Sequence, residues 1–223
     1  MQKVFLMALL SGASAAAQAQ TVIKSGTVQL GGSINYFHQN FETTGSNHQE
    51  TTNSNFSVGP ALGYFVADNL AIGLSAGFST ERNRVNSYSY YNPSFTERKN
   101  NTFSVGPFAQ YYHLLTEQFG FAGTLSALYT RTRYDYAGIN ANGSYGSVAN
   151  GNGLYAALVP SLVFFPIPKL ALGTSFGSLS YNYFVSKQLD GSVLDEESHS
   201  TGFGATFGLS QLSFSGTYYF GRQ

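Results

Sequence analysis

The four histidines are the side chains in this sequence best suited to chemistry, because a neutral imidazole can ligate a metal or transfer a proton near neutral pH. His38 and His199 each lie near the end of a predicted strand, and closure of the sheet would make those two strands neighbours. With an acid from Asp195, Glu196 or Glu197, they could bind a metal ion or form an acid–base pair. The alternative is two solvated histidines, since no further group is in place to orient the rings. We favour this alternative and predict no catalytic, cofactor or metal site.

The remaining candidates for chemistry have simpler interpretations. His113 stands beside Tyr111 and Tyr112 at a predicted strand end, where an interfacial role fits better than catalysis, and His48 lies in a polar loop. The acidic stretch 190–197 does not have the ligand spacing of an EF-hand calcium loop, so we expect a solvated loop. The sequence has no nucleophile elbow, phosphate loop, zinc helix or paired cysteines. We therefore expect a protein that is not an enzyme.

Six basic side chains concentrate at the same ends of three predicted strands. Arginine binds phosphate oxygens in a bidentate geometry, so a group of this kind could contact a phosphate-bearing surface. Ordinary solvated loop charge is the alternative. The six residues are Arg82, Arg84, Arg98, Lys99, Arg131 and Arg133.

In the segments that carry these groups, bulky apolar residues alternate with small or polar ones at the two-residue period of a β-strand. Even positions from Leu70 to Phe78 are mostly bulky and apolar, whereas odd positions from Ala71 to Ser79 are Ala, Gly or Ser. Charged residues make up only 10% of the chain and fall at segment ends. A charged side chain on a lipid-facing strand costs about 2–4 kcal/mol at the membrane midplane and far less near the interfaces. The bulky face is therefore predicted to face hydrocarbon and the small face a narrow lumen.

A repeated phrase organises the chain into hairpins. Phe56–Pro60 recurs as Phe103–Pro107, each copy runs into an aromatic pair and a short turn, and a looser copy lies at Leu158–Pro160. Short connections alternate with long polar regions at 39–53, 83–100, 135–150 and 187–200, an asymmetry typical of outer-membrane barrels. The predicted strands are 27–38, 54–65, 70–82, 101–113, 119–134, 151–165, 169–186 and 201–221.

Two features conflict with eight regular strands. Pro60, Pro107 and Pro160 fall inside strands, where each removes a ladder hydrogen bond, so we expect local bulges or weak pairing there. In the last strand the apolar face changes from odd to even positions. A bulge near Ser210–Gln211, or a membrane strand that starts only near Ser210, would explain the change.

Aromatic side chains collect where alternate strands end, which predicts a girdle at one membrane interface. A second group of aromatics could form the opposite girdle. The first group is Tyr64–Phe65, Tyr111–Tyr112, Phe164–Phe165 and Tyr218–Phe220, and the second is Phe78, Tyr129, Tyr134, Tyr181 and Tyr183.

The N-terminal segment, the length and the composition of the chain indicate the kind of protein it is. Lys3, the apolar run Val4–Leu10 and the small-x-small site Ala17–Ala19 predict a signal peptide over 1–19, with an N-terminal helix as the alternative. Residues 20–223 suffice for one domain. The chain has no cysteine and a formal net charge of zero, which argues against disulfides and against a nucleic-acid partner.

At the level of motifs, the chain resembles the small eight-stranded outer-membrane barrels of the OmpA/OmpX-like superfamily. The resemblance is carried by Gly63–Gly73 and by the last strand, Leu212–Phe220. It implies an all-β, eight-stranded antiparallel up-and-down transmembrane β-barrel in the bacterial outer membrane, with short turns on the periplasmic side. It also implies that the basic group meets lipopolysaccharide. In the last strand it implies an assembly signal, read by the barrel-assembly machinery, at Phe214, Gly216, Tyr218 and Phe220.

Three functions remain open at this stage. The first is a structural or surface-interaction barrel whose lumen is plugged by its own side chains and whose long loops meet a surface ligand. The second is a narrow transporter or binder of small hydrophobic molecules. The third, which we favour least, is a barrel enzyme acting on lipid or peptide, with His38 and His199 as the residues to test.

Overall fold

The computed structural model describes residues 22–45, 48–88, 93–188, 197–208 and 212–222. The predicted signal peptide and the proposed bulge at Ser210–Gln211 lie outside these ranges. Within them, no helix has the length and apolar character needed to cross a membrane. The described chain forms ten strands, all paired antiparallel. These are β1 (Val28–Thr43), β2 (His48–Ala67), β3 (Leu70–Tyr88), β4 (Ser94–Leu114), β5 (Phe119–Asn140), β6 (Gly143–Ile167), β7 (Leu170–Ser175), β8 (Gly177–Gln188), β9 (Glu197–Phe207) and β10 (Ser213–Phe220).

The sheet closes on itself near its short turns. β1 pairs with β10 from Val28 opposite Phe220 to Ser33 opposite Ser215, and β5 pairs with β6 along its whole length. Eight strands, β1 to β7 and β10, therefore form a ring at this end, which we call the turn end. The opposite end, where the chain reverses in long hairpins, is the hairpin end. The predicted antiparallel barrel is confirmed.

The prediction of eight continuous strands is not confirmed. The segments predicted as 169–186 and 201–221 are each divided in two, as β7 with β8 and as β9 with β10. The first division falls at Phe176 and is followed by Gly177, whose φ of 148° a β-branched or bulky residue would rarely adopt. The cause of this division lies on the neighbouring strand, β6.

Each repeat proline interrupts the hydrogen-bonded ladder on one side, as the sequence predicts. A proline has no N–H to donate, so the neighbour strand loses its partner there. Opposite Pro160 the neighbour is Phe176, where β7 ends and β8 begins. At Pro60, the pairing of β2 with β3 is interrupted between the pairs Val58–Phe78 and Ala61–Ser75. At Pro107, the pairing of β4 with β5 is interrupted between the pairs Val105–Tyr129 and Phe108–Ser126. At Pro160, the pairing of β6 is interrupted between Leu158–Leu179 of β8 and Ser161–Ser175 of β7.

Three of the predicted long loops are largely strand, so that prediction is wrong. Pairing continues to Thr43–Gln49, Ser87–Ser94 and Asn140–Gly143. Thr, Tyr, Asn and Ser can continue a solvated ladder, because each added pair supplies backbone hydrogen bonds and cross-strand contacts. The 25 residues of β6 span about 80 Å of chain at about 3.3 Å per residue. At a tilt of about 40° the strand rises about 60 Å, well beyond an apolar band about 25 Å tall.

Among the described residues, pairing does not close the wall of the barrel at the hairpin end. Beyond Ser33, the described residues of β1 pair only with β2, and β9 pairs only with β8. The two free edges, Ile34–Thr43 of β1 and Glu197–Phe207 of β9, border what we call the lateral opening. The expectation that the first and last predicted strands are neighbours along their length is therefore wrong. It holds only for β1 and β10.

Hydrogen exchange should detect the free edge of β1. Successive amides of a strand point to opposite sides, so every second N–H from Ile34 to Thr43 faces the lateral opening. We expect fast exchange at alternate residues of this stretch and slow exchange at all residues from Val28 to Ser33. Measurement in lipid nanodiscs tests this, with Lys99–Phe103 of β4, paired on both sides, as the control. Uniform protection from Ile34 to Thr43 would mean that the wall is closed.

Candidate functional site

The bulky apolar face of the barrel points outward, as the sequence predicts. Ile72, Leu74 and Phe78 of β3 are exposed, while Ala71 on the opposite face is buried. Directly paired residues of neighbouring strands point to the same face of the sheet. The bulky residues therefore face outward, and the small residues face inward, on the other strands of the ring as well. An apolar band therefore surrounds the barrel from the turn end to the level at which charged residues begin.

The aromatic pairs at the strand ends divide between the two faces, which corrects the predicted girdle. In each pair one ring points outward and its neighbour points into the lumen, because successive side chains of a strand alternate. Tyr134, predicted for the second girdle, also faces inward, since it pairs with Asn100 and Ala149. The outward members, Tyr64, Tyr111, Phe164, Tyr218 and Phe220, are exposed, and the inward members, Phe65, Tyr112, Phe165 and Tyr219, are buried.

A hydrogen-bonded group of inward side chains crosses the lumen near the turn end. The Tyr112 hydroxyl lies 3.0 Å from Gln29 Oε1 and 2.9 Å from Gln110 Oε1, and it accepts a hydrogen bond of 2.9 Å from the Tyr219 hydroxyl. Gln29 Nε2 donates to Gln110 Oε1 at 2.9 Å. These contacts join three strands, and each of the four side chains has at least one hydrogen-bond partner, as buried polar side chains generally do.

Apolar side chains pack against this group and complete a layer that we call the floor: Gln29, Gln110, Tyr112, Tyr219, Phe65, Phe165 and Ile23. Phe65 lies 5.7 Å from Tyr112 between ring centroids, and Phe165 lies 5.4 Å from Tyr219. Ile23, ahead of β1, is drawn under the barrel by hydrogen bonds of its backbone with Asn69. Truncating one such buried aromatic costs about 3–5 kcal/mol in a well-packed core.

Arg222 covers the floor from the turn end. Its guanidinium carbon lies 3.8 Å from the centroid of Phe165 and 5.9 Å from that of Tyr219, within the range of a cation–π contact. The residue is buried, and burial lowers the pKa of its guanidinium. Among the described residues, its Nη1 atom has no hydrogen-bond partner.

Above the floor, the lumen contains a cavity of about 230 Å³ lined by uncharged and mostly small residues. Its base is formed by Gln29 and Gln110, so the floor separates it from the turn end. The remaining lining residues are Gly31, Gly32, Ser33, Gly59, Ala61, Ser75, Phe108, Thr124, Ser126, Ser215 and Thr217.

The predicted basic group lies beyond the apolar band, and the structure divides it between the two faces. Arg98 pairs with Tyr136 and stacks on its ring at 5.5 Å, on the inward face. The other five face outward, since each pairs or alternates in phase with an exposed apolar residue such as Phe78. The outward five are Arg82, Arg84, Lys99, Arg131 and Arg133.

Two carboxylates lie among the five outward cations. Glu97 accepts from Arg82 at 2.8 Å and from Arg84 at 2.6 Å, and Asp135 accepts from Arg133 at 3.0 Å. Partial burial raises the pKa of Glu97, but the hydrogen bonds from Arg84 and Arg82 outweigh this effect and lower the pKa below its ordinary value. Glu97 is therefore ionised at neutral pH, and the outward patch carries a net positive charge.

The structure does not bring His38 and His199 together. His38 pairs with Ser54 on β2, whereas His199 pairs with Val185 on β8, across the lateral opening. His199 lies 3.8 Å from a Glu197 oxygen and 3.4 Å from the Tyr183 hydroxyl. Asp195 and Glu196 fall outside the described residues. The described ranges contain no group of three potential metal-ligating side chains.

The other two histidines, His113 and His48, both lie on strands. His113 is exposed on the outward face of β4, beside the turn end. His48 begins β2 instead of lying in a loop, and its ring is 5.1 Å from that of Tyr88 and 3.5 Å from a Glu42 oxygen.

The residues of the predicted assembly signal lie on β10, in phase with the outward residues of β1 and β7. Phe214 pairs with Thr174, Gly216 with Gly32, Tyr218 with Leu30 and Phe220 with Val28. This arrangement agrees with a role in recognition from outside the barrel, and the role itself stays a prediction.

The residues that form the floor were not predicted from the sequence, although a signal for them was present. Phe65, Tyr112, Phe165 and Tyr219 occupy positions in phase with the small inward residues of their strands. Bulky rings in that phase are misplaced for a lipid-facing girdle and well placed to fill a lumen. Gln29 is the corresponding polar signal, because it is a long side chain on a face of Gly, Ser and Asn.

The chain matches a protein-family model and is similar to solved structures. A model described as outer membrane protein beta-barrel domain matches residues 5–207. A major outer membrane protein from Thermus thermophilus has a similar structure, with a TM-score of 0.43 and 14% sequence identity over 88% of this chain and 100% of that chain. No curated protein matches.

Proposed function

Since the chain belongs to the outer membrane protein β-barrel domain family and thus lies in the bacterial outer membrane, we propose that it is a non-conducting barrel with a structural or surface-interaction role. The observation that carries this proposal is the floor, where Tyr112, Tyr219, Gln29 and Gln110 are joined across the lumen. An eight-stranded barrel is just wide enough for its side chains to fill. The floor would then seal the periplasmic side, because short turns mark that side in this class of barrel.

Conductance across a planar bilayer tests the seal directly. The wild-type protein should insert without producing stepwise current, because the proposed seal leaves no continuous aqueous path. Its insertion must be shown independently by protease protection of the turn end. Reproducible single-channel steps from inserted protein would contradict a sealed barrel.

On the outer side, the proposed partner is lipopolysaccharide. The support is the outward patch of Arg82, Arg84, Lys99, Arg131 and Arg133, which lies just beyond the apolar band, where lipid phosphates would meet the barrel. Arginine pairs with phosphate through two parallel hydrogen bonds, and such charge-assisted bonds are roughly twice as strong as neutral ones. The extended strands beyond this patch would present a rigid β-surface for a further ligand, in place of the flexible loops expected from the sequence.

Replacing the five outward cations with Gln should lower lipopolysaccharide co-purification by about tenfold or more, since each charged hydrogen bond contributes about 1.5–3 kcal/mol. Arg98→Gln is the matched control, because Arg98 faces inward at the same level. Glu97→Gln should have the opposite effect, since it releases Arg82 and Arg84. Equal lipopolysaccharide content in the fivefold variant and the control would exclude this contact.

A second candidate function is binding of small hydrophobic molecules. It is favoured by the lateral opening together with the 230 Å³ cavity, since Ser33 and Ser215, the last residues paired between β1 and β10, line that cavity. A barrel enzyme is not proposed, because the two histidines that suggested it lie on opposite sides of the lateral opening. Recognition by the barrel-assembly machinery through Phe214, Gly216, Tyr218 and Phe220 is proposed on the outward phase of those residues.

A further inference from the structure

The free edges of the lateral opening carry the most exposed apolar side chains of the described structure. An outward residue within the wall is flanked by a strand on each side, whereas a residue at this edge lacks one of those neighbours. The three most exposed are Phe203 at 77%, Tyr36 at 71% and Ile34 at 70%.

The lower part of the lateral opening lies at the depth of the lipid. On β1 the outward residues are apolar at Ile34 and Tyr36 and become polar from His38 onward. On β9 the outward face is apolar from Phe207 to Phe203 and polar at His199. The opening therefore begins within the outer half of the apolar band and continues into the polar region above it.

The cavity above the floor reaches this opening. Ser33 and Ser215 are the last residues paired between β1 and β10, and both line the cavity. Immediately beyond them the two strands have no pairing with each other. A molecule between the free edges would thus contact lipid on one side and the cavity on the other.

The lining of the cavity defines the chemistry that it can hold. The polar groups are Ser and Thr hydroxyls and the amides of Gln29 and Gln110, with no charged side chain among them. An ionised group moved to such a site without a partner would be strongly unfavourable, whereas hydroxyl and amide groups would find partners. A volume of about 230 Å³ is smaller than ordinary drug-sized pockets, which start at about 300 Å³.

We propose that this cavity binds the uncharged polar head of a single-chain amphiphile, which enters sideways from the outer leaflet through the lateral opening. The hydrocarbon chain stays between Ile34, Tyr36 and Phe203, where it covers exposed apolar surface. The head hydrogen-bonds to Ser33, Ser215 and the serine and threonine side chains behind them. This site goes beyond the sealed, surface-interacting barrel proposed above and does not require lipopolysaccharide contact.

The backbone of the opening supports the same ligand class. Unpaired N–H and C=O groups facing hydrocarbon cost several kcal/mol each. A head group with hydroxyls can satisfy such groups near Ile34 and Phe207 while it passes the edge. A plain hydrocarbon cannot, so we expect the head to be needed for binding.

The experiment uses the protein in lipid nanodiscs with 1-monolauroylglycerol as the probe, followed by amide chemical shifts. Saturable shifts are expected at Gly31, Ser33, Ser126 and Ser215. Dodecane, which has no head, and dodecyl phosphate, whose head is charged, should each bind at least tenfold more weakly. Equal saturable shifts with dodecane would show that only the chain is recognised and would overturn the proposal.

Two variants block the passage from the opening to the cavity. Ser215→Phe and Ser33→Phe place a ring at the junction, where the Ser215 side chain lies over Gly173 and the Ser33 side chain faces Gly59. Each should weaken monolauroylglycerol binding at least tenfold. Ser104→Phe is the matched control, since Ser104 is an inward serine facing Gly77 and does not line the cavity.

The outcomes separate this site from general lipid contact. Loss of binding in both junction variants with retention in the control supports the proposal. Shifts confined to outward residues around the whole barrel, or unchanged affinity in folded junction variants, would overturn it. Folding of each variant is checked by the shift in gel mobility between unboiled and boiled protein. The bilayer conductance of the wild type is measured separately, so failure of the seal and failure of this site are distinguishable.

Discussion

Replacing both Tyr112 and Tyr219 with alanine should convert a silent barrel into a conducting one. The two rings and their hydroxyls occupy the centre of the floor, and both side chains are fully buried. Their removal breaks the hydrogen bonds to Gln29 and Gln110 and leaves a gap between Phe65 and Phe165. The double variant should show stepwise current in planar bilayers.

The same change should also destabilise the fold. Large buried aromatics cost about 3–5 kcal/mol each when truncated to alanine, and neighbours that share a hydrogen bond are not additive. The matched control is Tyr111→Ala with Tyr218→Ala, because these residues adjoin the floor tyrosines in sequence but point outward. Unfolding in urea from lipid vesicles measures the stability. If both double variants stay silent and equally stable, the tyrosines do not form the seal.

An arginine at the middle of the outward face should be poorly tolerated, and the cost should depend on depth. Leu158 on β6 lies midway between Phe164 at the turn end and Asn152, which pairs with Arg131. Leu158→Arg should lower the free energy of unfolding by about 2–4 kcal/mol. Leu154→Arg, on the same face of the same strand but close to the outer boundary, should cost only about 0–1 kcal/mol.

Equilibrium unfolding from lipid vesicles compares these two variants directly. Both replace an exposed leucine on one strand, so differences in strand propensity cancel. A barrel placed in the membrane as we describe gives the larger loss at Leu158. Equal losses at the two positions would mean that the apolar band has been placed at the wrong height.

The sequence was sufficient for the features that depend on strand alternation and on single residues. Period-two alternation predicted the outward face of Leu70–Phe78. The prediction was possible because the cost of charge in lipid excludes charged residues from the middle of the membrane-facing strands. The interruptions at Pro60, Pro107 and Pro160 were also predictable, since a proline lacks the backbone N–H whatever strand lies beside it. Their effect on the partner strand, the break at Phe176, required the register between β6 and β7, which no local pattern contains.

The sequence was insufficient where polar strands resemble loops and where distant edges must meet. The region 83–100 reads as a polar loop, yet most of it is paired, because a solvated hairpin needs no apolar alternation. The lateral opening depends on the pairing of β9 with β8 and of β10 with β7 and β1, which joins residues far apart in the sequence. The floor was accessible in principle, since Tyr112 and Tyr219 occupy inward positions, but clustering of aromatics suggested an interface instead.

The position of the floor determines where any voltage across the outer membrane would fall. With electrolyte in the lumen above it, a sealed floor would leave only one layer of side chains between two electrolytes. One elementary charge moved through 100 mV corresponds to about 2.3 kcal/mol. Nearly all of that work would be done across the Tyr112–Tyr219 layer, and the buried guanidinium of Arg222 is the charge nearest to it.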